Sequence, residues 1–180
     1  MVKGTKLNRR AVYVAVVATT IDGKIATHAR QFTDWTSKED KDFLHKVLDE
    51  SDVVVVGNNT YKTAKAPLSK RNCIVLTRSV SKTMQKNPRL IFLNPARENL
   101  DGFIKKARYK KVAVLGGAQS YTYFLENNLL DEIYLTIEPL IFGRGLAIFE
   151  SKKAFKKWFR LVSARRLNKR GSLLLHFAVS

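Results

Sequence analysis

The chain has 180 residues, 45% hydrophobic and 27% charged, with 33 basic against 15 acidic side chains and a formal net charge of +18. That size and balance fit one soluble globular domain with a substantial core and exclude an intrinsically disordered chain. No apolar run reaches the roughly 20 residues needed to span a bilayer, and a single cysteine, Cys73, excludes an internal disulfide and fits a reducing, cytoplasmic setting.

Met1–Arg10 is basic and polar, and the short apolar run after it reads as a first buried strand, Val12–Ala18, rather than as the core of a signal peptide. Asp22-Gly23-Lys24 marks a turn. Ser37 suits a helix N-cap, and Phe43, Leu44, Val47 and Leu48 recur at helical spacing, which predicts a helix over Lys38–Glu50. Val53–Val56 is a β-branched run expected in a strand buried on both faces, closed by Gly57. Cys73–Thr77 and Leu90–Leu93 read as further strands and Leu100–Ala107 as a helix. Val112–Leu115 is a strand, Ala118–Asn127 helical and Glu132–Glu138 a strand. Phe159–Leu167 and Ser172–Ala178, around Lys169-Arg170-Gly171, read as a hairpin. The alternation predicts an α/β fold in a single domain over residues 1–180. It has three layers, α/β/α, around a mixed, mostly parallel sheet with a C-terminal antiparallel hairpin at one edge. Ligands of such sheets sit beyond the carboxyl ends of the strands, where Gly57 and Gly116-Gly117 both fall.

Val112-Ala113-Val114-Leu115-Gly116-Gly117-Ala118-Gln119-Ser120-Tyr121 runs from a buried strand through two glycines into a helix. Glycine lets backbone approach a ligand closely, and a helix start presents free N–H groups, so the pattern fits a phosphate cradle as well as a plain turn. The positive charge runs from Lys3 to Arg170 and is densest over Lys152–Arg170. It fits a solvated basic surface, or steering of an anionic cofactor and substrate. Aromatic residues interleaved on a basic face, which nucleic-acid modules use, are not evident in the pattern, so nucleic acid is not an expected partner. His28, His45 and His176 are too scattered to define a metal set.

Four segments carry more than periodicity. They are Val16-Val17-Ala18-Thr19-Thr20-Ile21-Asp22-Gly23-Lys24-Ile25-Ala26, Trp35-Thr36-Ser37-Lys38-Glu39-Asp40, the stretch from Val54-Val55-Val56-Gly57-Asn58-Asn59-Thr60 to Leu76-Thr77-Arg78-Ser79, and Leu115-Gly116-Gly117-Ala118-Gln119-Ser120-Tyr121 with Leu130–Glu138. Together they resemble the dihydrofolate reductase family from about Val12 to Phe149, and more loosely to the final hairpin. The resemblance implies NADPH as cofactor and a small-molecule substrate, reduced by hydride transfer, dihydrofolate to tetrahydrofolate. It places Ala18, Ile25 and Ala26 at the nicotinamide, and Gly57, Asn58, Asn59 and Thr60 on the phosphates. Thr77, Arg78 and Ser79 fall at the adenosine 2′-phosphate. Leu115, Gly116, Gly117, Ala118, Gln119 and Ser120 pass along the cofactor, with Tyr121 near the nicotinamide ring.

Asp40, five residues after Trp35, stands at the family's active-site carboxylate, with Thr136 behind it. A carboxylate there accepts an amino group and a ring N–H in a bidentate fork and assists protonation. Val16, Val17 and Leu44 would contact the substrate, and Arg71 the α-carboxylate of the folate tail. Taken by themselves, Glu39 and Asp40 also fit first-turn acids favoured by the helix dipole, Arg71 fits a surface arginine, and Tyr121 a core aromatic.

The chain departs from the folate pattern at several places. Asn58 replaces an arginine, Ala118 a third glycine, Lys38 and Ser69 prolines, and Ala26 a loop glycine. Asp22–Ala26, Trp35-Thr36-Ser37 and Leu140-Ile141-Phe142-Gly143-Arg144-Gly145 look more like a sister family, the pyrimidine reductases of riboflavin synthesis. Those share fold and cofactor but reduce the ribose of a phosphoribosylamino-pyrimidine. Their Asp-Asp-Pro stretch is absent, with Lys65-Ala66-Pro67 in its place. Dihydrofolate is the leading expectation, and 5-amino-6-(5-phosphoribosylamino)uracil the alternative. A non-catalytic basic nucleotide- or nucleic-acid-binding protein on the same fold is the reading from a different class. No membrane partner is expected, and the chain is a monomer or a homodimer.

Overall fold

The computed structural model describes residues 10–180, so the basic stretch Met1–Arg9 lies outside the described residues. In chain order the elements are β1 (Val12–Thr20), β2 (Lys24–Ala26), α1 (Lys38–Asp49), β3 (Val53–Gly57), α2 (Asn58–Thr63), α3 (Lys65–Leu68), β4 (Cys73–Leu76), β5 (Thr83–Asn87), β6 (Leu90–Leu93), α4 (Leu100–Lys106), β7 (Lys111–Val114), α5 (Ala118–Glu126), β8 (Glu132–Glu138), β9 (Leu146–Ala147), β10 (Phe159–Arg166) and β11 (Leu173–Val179). Nine strands form one sheet in the order β10-β11-β8-β1-β7-β3-β4-β6-β5, and β2 pairs with β9 in a small second sheet.

The six central strands, β8 to β6, are mutually parallel, and antiparallel strands close both edges. The hairpin at one edge is the expected one. The strand at the other edge, Thr83-Met84-Gln85-Lys86-Asn87, is exposed at every position and carries no hydrophobic alternation to announce it. Polar, solvated edge strands of this kind limit edge-to-edge association.

Strand alternation divides the core into two layers. Tyr13, Ala15, Val17, Val53 and Val55 face Leu100 and Ile104 of α4 and Tyr121, Phe124 and Leu125 of α5. Val54 and Val56 face Leu48 of α1 and Leu68 of α3, while Val14 and Val16 pack with Val47 of α1. These β-branched runs are buried on both faces because helices cover both. α1 begins where Ser37 caps it, its hydroxyl accepting from the Asp40 N–H at 3.3 Å.

Cys73 lies at the start of β4, 3% exposed, and burial pushes its thiol up to about 12. Thiolate is the reactive form. The folded protein is therefore expected to resist a chromogenic disulfide reagent at pH 8 and to react fully once unfolded in guanidinium. Rapid labelling without denaturant would mean that the β3–β4 core opens readily.

Candidate active site

Four neighbouring strands, β1, β7, β3 and β4, bring their carboxyl ends to one side of the sheet and so gather Ala18, Leu115, Gly57 and Thr77. The Gly57 N–H donates to the Gly116 carbonyl at 2.7 Å. Gly116 has φ +70°, and a Cβ there would stand 2.4 Å from the Tyr121 ring, so only glycine fits. Tyr121 is buried and its hydroxyl donates to the Val16 carbonyl at 2.6 Å, while burial drives the phenol pKa far upward. A Cβ on Gly57 would meet Ser120 Oγ at 2.7 Å, and one on Gly117 would lie 3.4 Å from Thr60 Oγ1.

The segments Gly57–Thr60 and Gly116–Tyr121 therefore pack backbone against backbone. Gly57 and Gly117 form the N-caps of α2 and α5 with no side-chain acceptor of their own. Asn58 is half-buried at the start of α2; Asn59 and Gln119 are exposed; Ala118 is buried under α5. Beyond β4, Thr77 Oγ1 lies 2.9 Å from Ser79 Oγ and accepts from the Ser79 N–H. Arg78 between them is exposed and makes no ion pair among the described residues.

On the α1 side, Asp40 is 6% exposed. β8 runs parallel to β1 with Thr136 opposite Ala18, which brings Thr136 to the Asp40 carboxyl. Burial is the largest effect on the Asp40 carboxyl and raises its pKa; the neighbouring Thr136 and Thr36 hydroxyls lower it, Glu138 raises it, and the net direction is upward. Leu44, one turn along α1, packs beside Val16 and Val14. Val17 points to the opposite face of β1, into the α5 layer, so the structure does not bring it to Asp40. Trp35 stacks edge-on to Phe142 with centroids 5.2 Å apart, and its buried Nε1 has no acceptor among the described residues.

Ile25 and Ala26, half-buried on β2, are held near the end of β1 by Asp22 and Thr20. The Thr20 hydroxyl donates to Asp22 at 2.6 Å and accepts from the Lys24 N–H. The Asp22 carboxylate accepts the Phe142 and Gly143 N–H groups at 3.2 and 2.9 Å, which ties this loop to the one after β8; the Thr20 hydroxyl above all, and then these two amides, hold the Asp22 pKa below the ordinary value.

Arg71 lies elsewhere. It precedes β4 at the amino end of the sheet, pairs with Asp49 near the end of α1, and donates to the Pro67 carbonyl at 3.2 Å. Asp40 and Asp49 are nine residues apart on one helix, so the two sites stand about 13 Å from each other along its axis.

Glu138, Thr36 and Ser172 join this site without having been singled out from the sequence. Glu138 is 2% exposed at the end of β8, and its carboxylate accepts the Ser37 N–H at 2.7 Å and the Ser172 hydroxyl. Two-residue alternation puts Glu138 on the same face of β8 as Thr136, and that was the signal available for it.

A family model described as dihydrofolate reductase matches residues 12–162. The chain is 24% identical over 148 residues to the uncharacterized protein YwjB of Bacillus subtilis (strain 168), covering 76% of this chain and 81% of that one. It is 27% identical over 169 residues to the riboflavin biosynthesis protein RibD of Aquifex aeolicus (strain VF5), covering 73% and 47%. It is 30% identical over 88 residues to the bifunctional dihydrofolate reductase-thymidylate synthase of Plasmodium vinckei, covering 47% and 48%. The chain thus spans about half the length of the last two. The crystal structure of a pyrimidine reductase-like protein from Corynebacterium diphtheriae superposes with a TM-score of 0.75 at 16% identity over 94% of this chain and 92% of that one, which establishes the shared fold.

Proposed function

The chain belongs to the dihydrofolate reductase family, and we propose that this reductase uses NADPH to reduce the ribosyl group of a phosphoribosylamino-pyrimidine, 5-amino-6-(5-phosphoribosylamino)uracil, rather than the pterin ring of dihydrofolate. The observation that carries this choice is Arg71. The folate reading needs that guanidinium for the carboxylate of the folate tail, but it is engaged by Asp49 and the Pro67 carbonyl. The longer reach of the RibD match, 169 residues against 88, supports the same choice, as do the Asp22–Ala26 and Leu140–Gly145 segments.

The cradle fits a dinucleotide. Gly57, Gly116 and Gly117 leave room for backbone to approach phosphates where side chains would collide. Thr77, Ser79 and the exposed Arg78 would hold a 2′-phosphate, with the arginine matching its geometry; Asn58 offers an uncharged contact where the folate family has arginine. NADPH, when bound, supplies the hydride. Asp40 supplies the proton. Burial keeps its carboxyl protonated to higher pH than an exposed acid, and the Thr136 and Thr36 hydroxyls stand beside it. The unpaired Trp35 Nε1 is a preset donor for an acceptor on the bound ring. Val16 and Leu44 form the apolar wall beside it.

The test is NADPH oxidation, followed by loss of reduced-nicotinamide absorbance, with each substrate in turn. The expected result is turnover of the phosphoribosylamino-pyrimidine with kcat/KM for dihydrofolate lower by about 100-fold or more. The opposite ranking, together with a raised KM for dihydrofolate in Arg71→Ala, would return the chain to the folate reading.

A further inference from the structure

We propose that Glu138 is a positioning residue that locks the first turn of α1, and with it Asp40, to the turn of the β10–β11 hairpin. The proposal rests on Asp40 being the acid of the reaction, and it adds a second carboxylate and a hairpin turn to that site.

Glu138 is an anomaly for a strand end. Its side chain is almost fully buried, yet no lysine, arginine or histidine pairs with it among the described residues. A buried carboxylate without a counter-charge is costly unless hydrogen bonds replace its water. Here two donors do so, and they come from distant parts of the chain. The Ser37 N–H donates to one oxygen at 2.7 Å, across 101 residues, and the Ser172 hydroxyl donates to the other, across 34.

Both donors lead onward. Ser37 is the N-cap of α1, and its hydroxyl in turn receives the Asp40 N–H, so the residue that Glu138 holds is the one that sets where Asp40 begins its turn. Ser172 is fully buried and anchors the hairpin turn. Asn168 donates to the Ser172 hydroxyl at 2.9 Å and accepts the Gly171 and Ser172 N–H groups. The same Asn168 amide reaches Glu39 at 3.2 Å. Between these tied parts lies an open cleft of about 610 Å³ bounded by Thr36, Ser37, Lys38, Glu39 and Asn168–Arg170.

The β8 strand therefore addresses α1 twice on one face. Thr136 meets the Asp40 carboxyl, and Glu138 meets the backbone that carries it. A glutamine has the same shape but a single acceptor oxygen for these two donors, so it removes the carboxylate and leaves the Ser37 N–H and the Ser172 hydroxyl to share one acceptor. The groups that act on Asp40 are Lys41 on α1, which favours its ionised form; Glu138 on β8, which opposes it; and the hydroxyls of Thr36 and Thr136. On the α5 side Tyr121 stays neutral. Glu138 is the only one of these that works with burial to keep the Asp40 proton in place.

Glu138→Gln separates charge from shape. With substrate, kcat is expected to fall about tenfold with KM little changed, and the alkaline limb of the kcat–pH profile to move to lower pH, because the neighbouring negative charge is gone. Without substrate, the Asp40 carboxyl followed by carbon NMR in the unliganded protein should titrate at lower pH in the variant. That readout does not depend on which substrate is reduced, so it still decides the role of Glu138 if neither substrate turns over. Ser172→Ala keeps the charge and cuts the tie. It is expected to lower kcat with the alkaline limb in place and to speed hydrogen exchange of the Ser37 amide. Loss of thermal stability in Glu138→Gln with an unmoved Asp40 titration, or unchanged kcat and Ser37 exchange in Ser172→Ala, would overturn the proposal.

Discussion

Asp40→Asn is expected to lower turnover at neutral pH by about 10²–10⁴-fold, the usual contribution of a positioned general acid, while NADPH affinity stays near that of the parent protein. Asparagine keeps the shape and can still meet Thr136 and Thr36, but it has no proton to give. The cradle formed by Gly57, Thr60, Gly116 and Gly117 is built from other elements and is left untouched.

The same substitution is expected to raise stability. Burial lifts the Asp40 pKa in the folded protein above the value of an exposed aspartate. Between those two values the folded state holds a proton that the unfolded chain has released, so stability falls as pH rises through that window. The asparagine side chain does not titrate and is indifferent to pH there. The variant should therefore melt above the parent protein at pH 7–8, and the gap should narrow as pH falls towards the ordinary carboxylate range. Activity retained within a factor of three would remove Asp40 from the reaction, and a melting difference that grows on acidification would mean that burial does not raise its pKa.

Gly116→Ala should cost about 2–5 kcal/mol in urea unfolding and abolish tight NADPH binding. Two effects add. A positive φ is disfavoured for any residue with a Cβ by roughly 1–2 kcal/mol, and forcing a methyl into a packed site costs typically about 1–3 kcal/mol more. The Tyr121 ring in its path cannot step aside cheaply, because the tyrosine is buried and its hydroxyl is held by the Val16 carbonyl. Adding Tyr121→Leu to Gly116→Ala should recover part of the second effect and none of the first. A loss below 1 kcal/mol in Gly116→Ala alone would show that the loop swings clear of Tyr121 in solution.

Much of this site lies in local patterns. The runs Val53–Val56 and Val112–Leu115 are apolar throughout and too short for helices, which suits strands buried on both faces. Ser37 before an amphipathic stretch marks the start of α1 and hence the position of Asp40 in its first turn. Glycines after two strands mark the cradle. Local patterns also have limits. The dihydrofolate expectation leans on Arg71 standing at the folate-family place, and nothing in the neighbourhood of Arg71 discloses that Asp49, 22 residues earlier, engages it. Exposed β5 leaves no signal because an edge strand with two solvated faces needs no hydrophobic alternation.

The class of fold, the order of most of its elements and the residues lining the strand ends are all written along the chain, since burial of apolar side chains obeys periods of two and 3.6. Which polar groups meet is settled by the three-dimensional arrangement alone. Glu138 with Ser37 and Ser172, Asp22 with Phe142 and Gly143, and Arg71 with Asp49 are partnerships across 22 to 121 residues. A hydrogen bond leaves no periodic trace at either end; it exists because the sheet order places two distant strand ends and loops side by side, and only there can a buried polar group find the partner that replaces water.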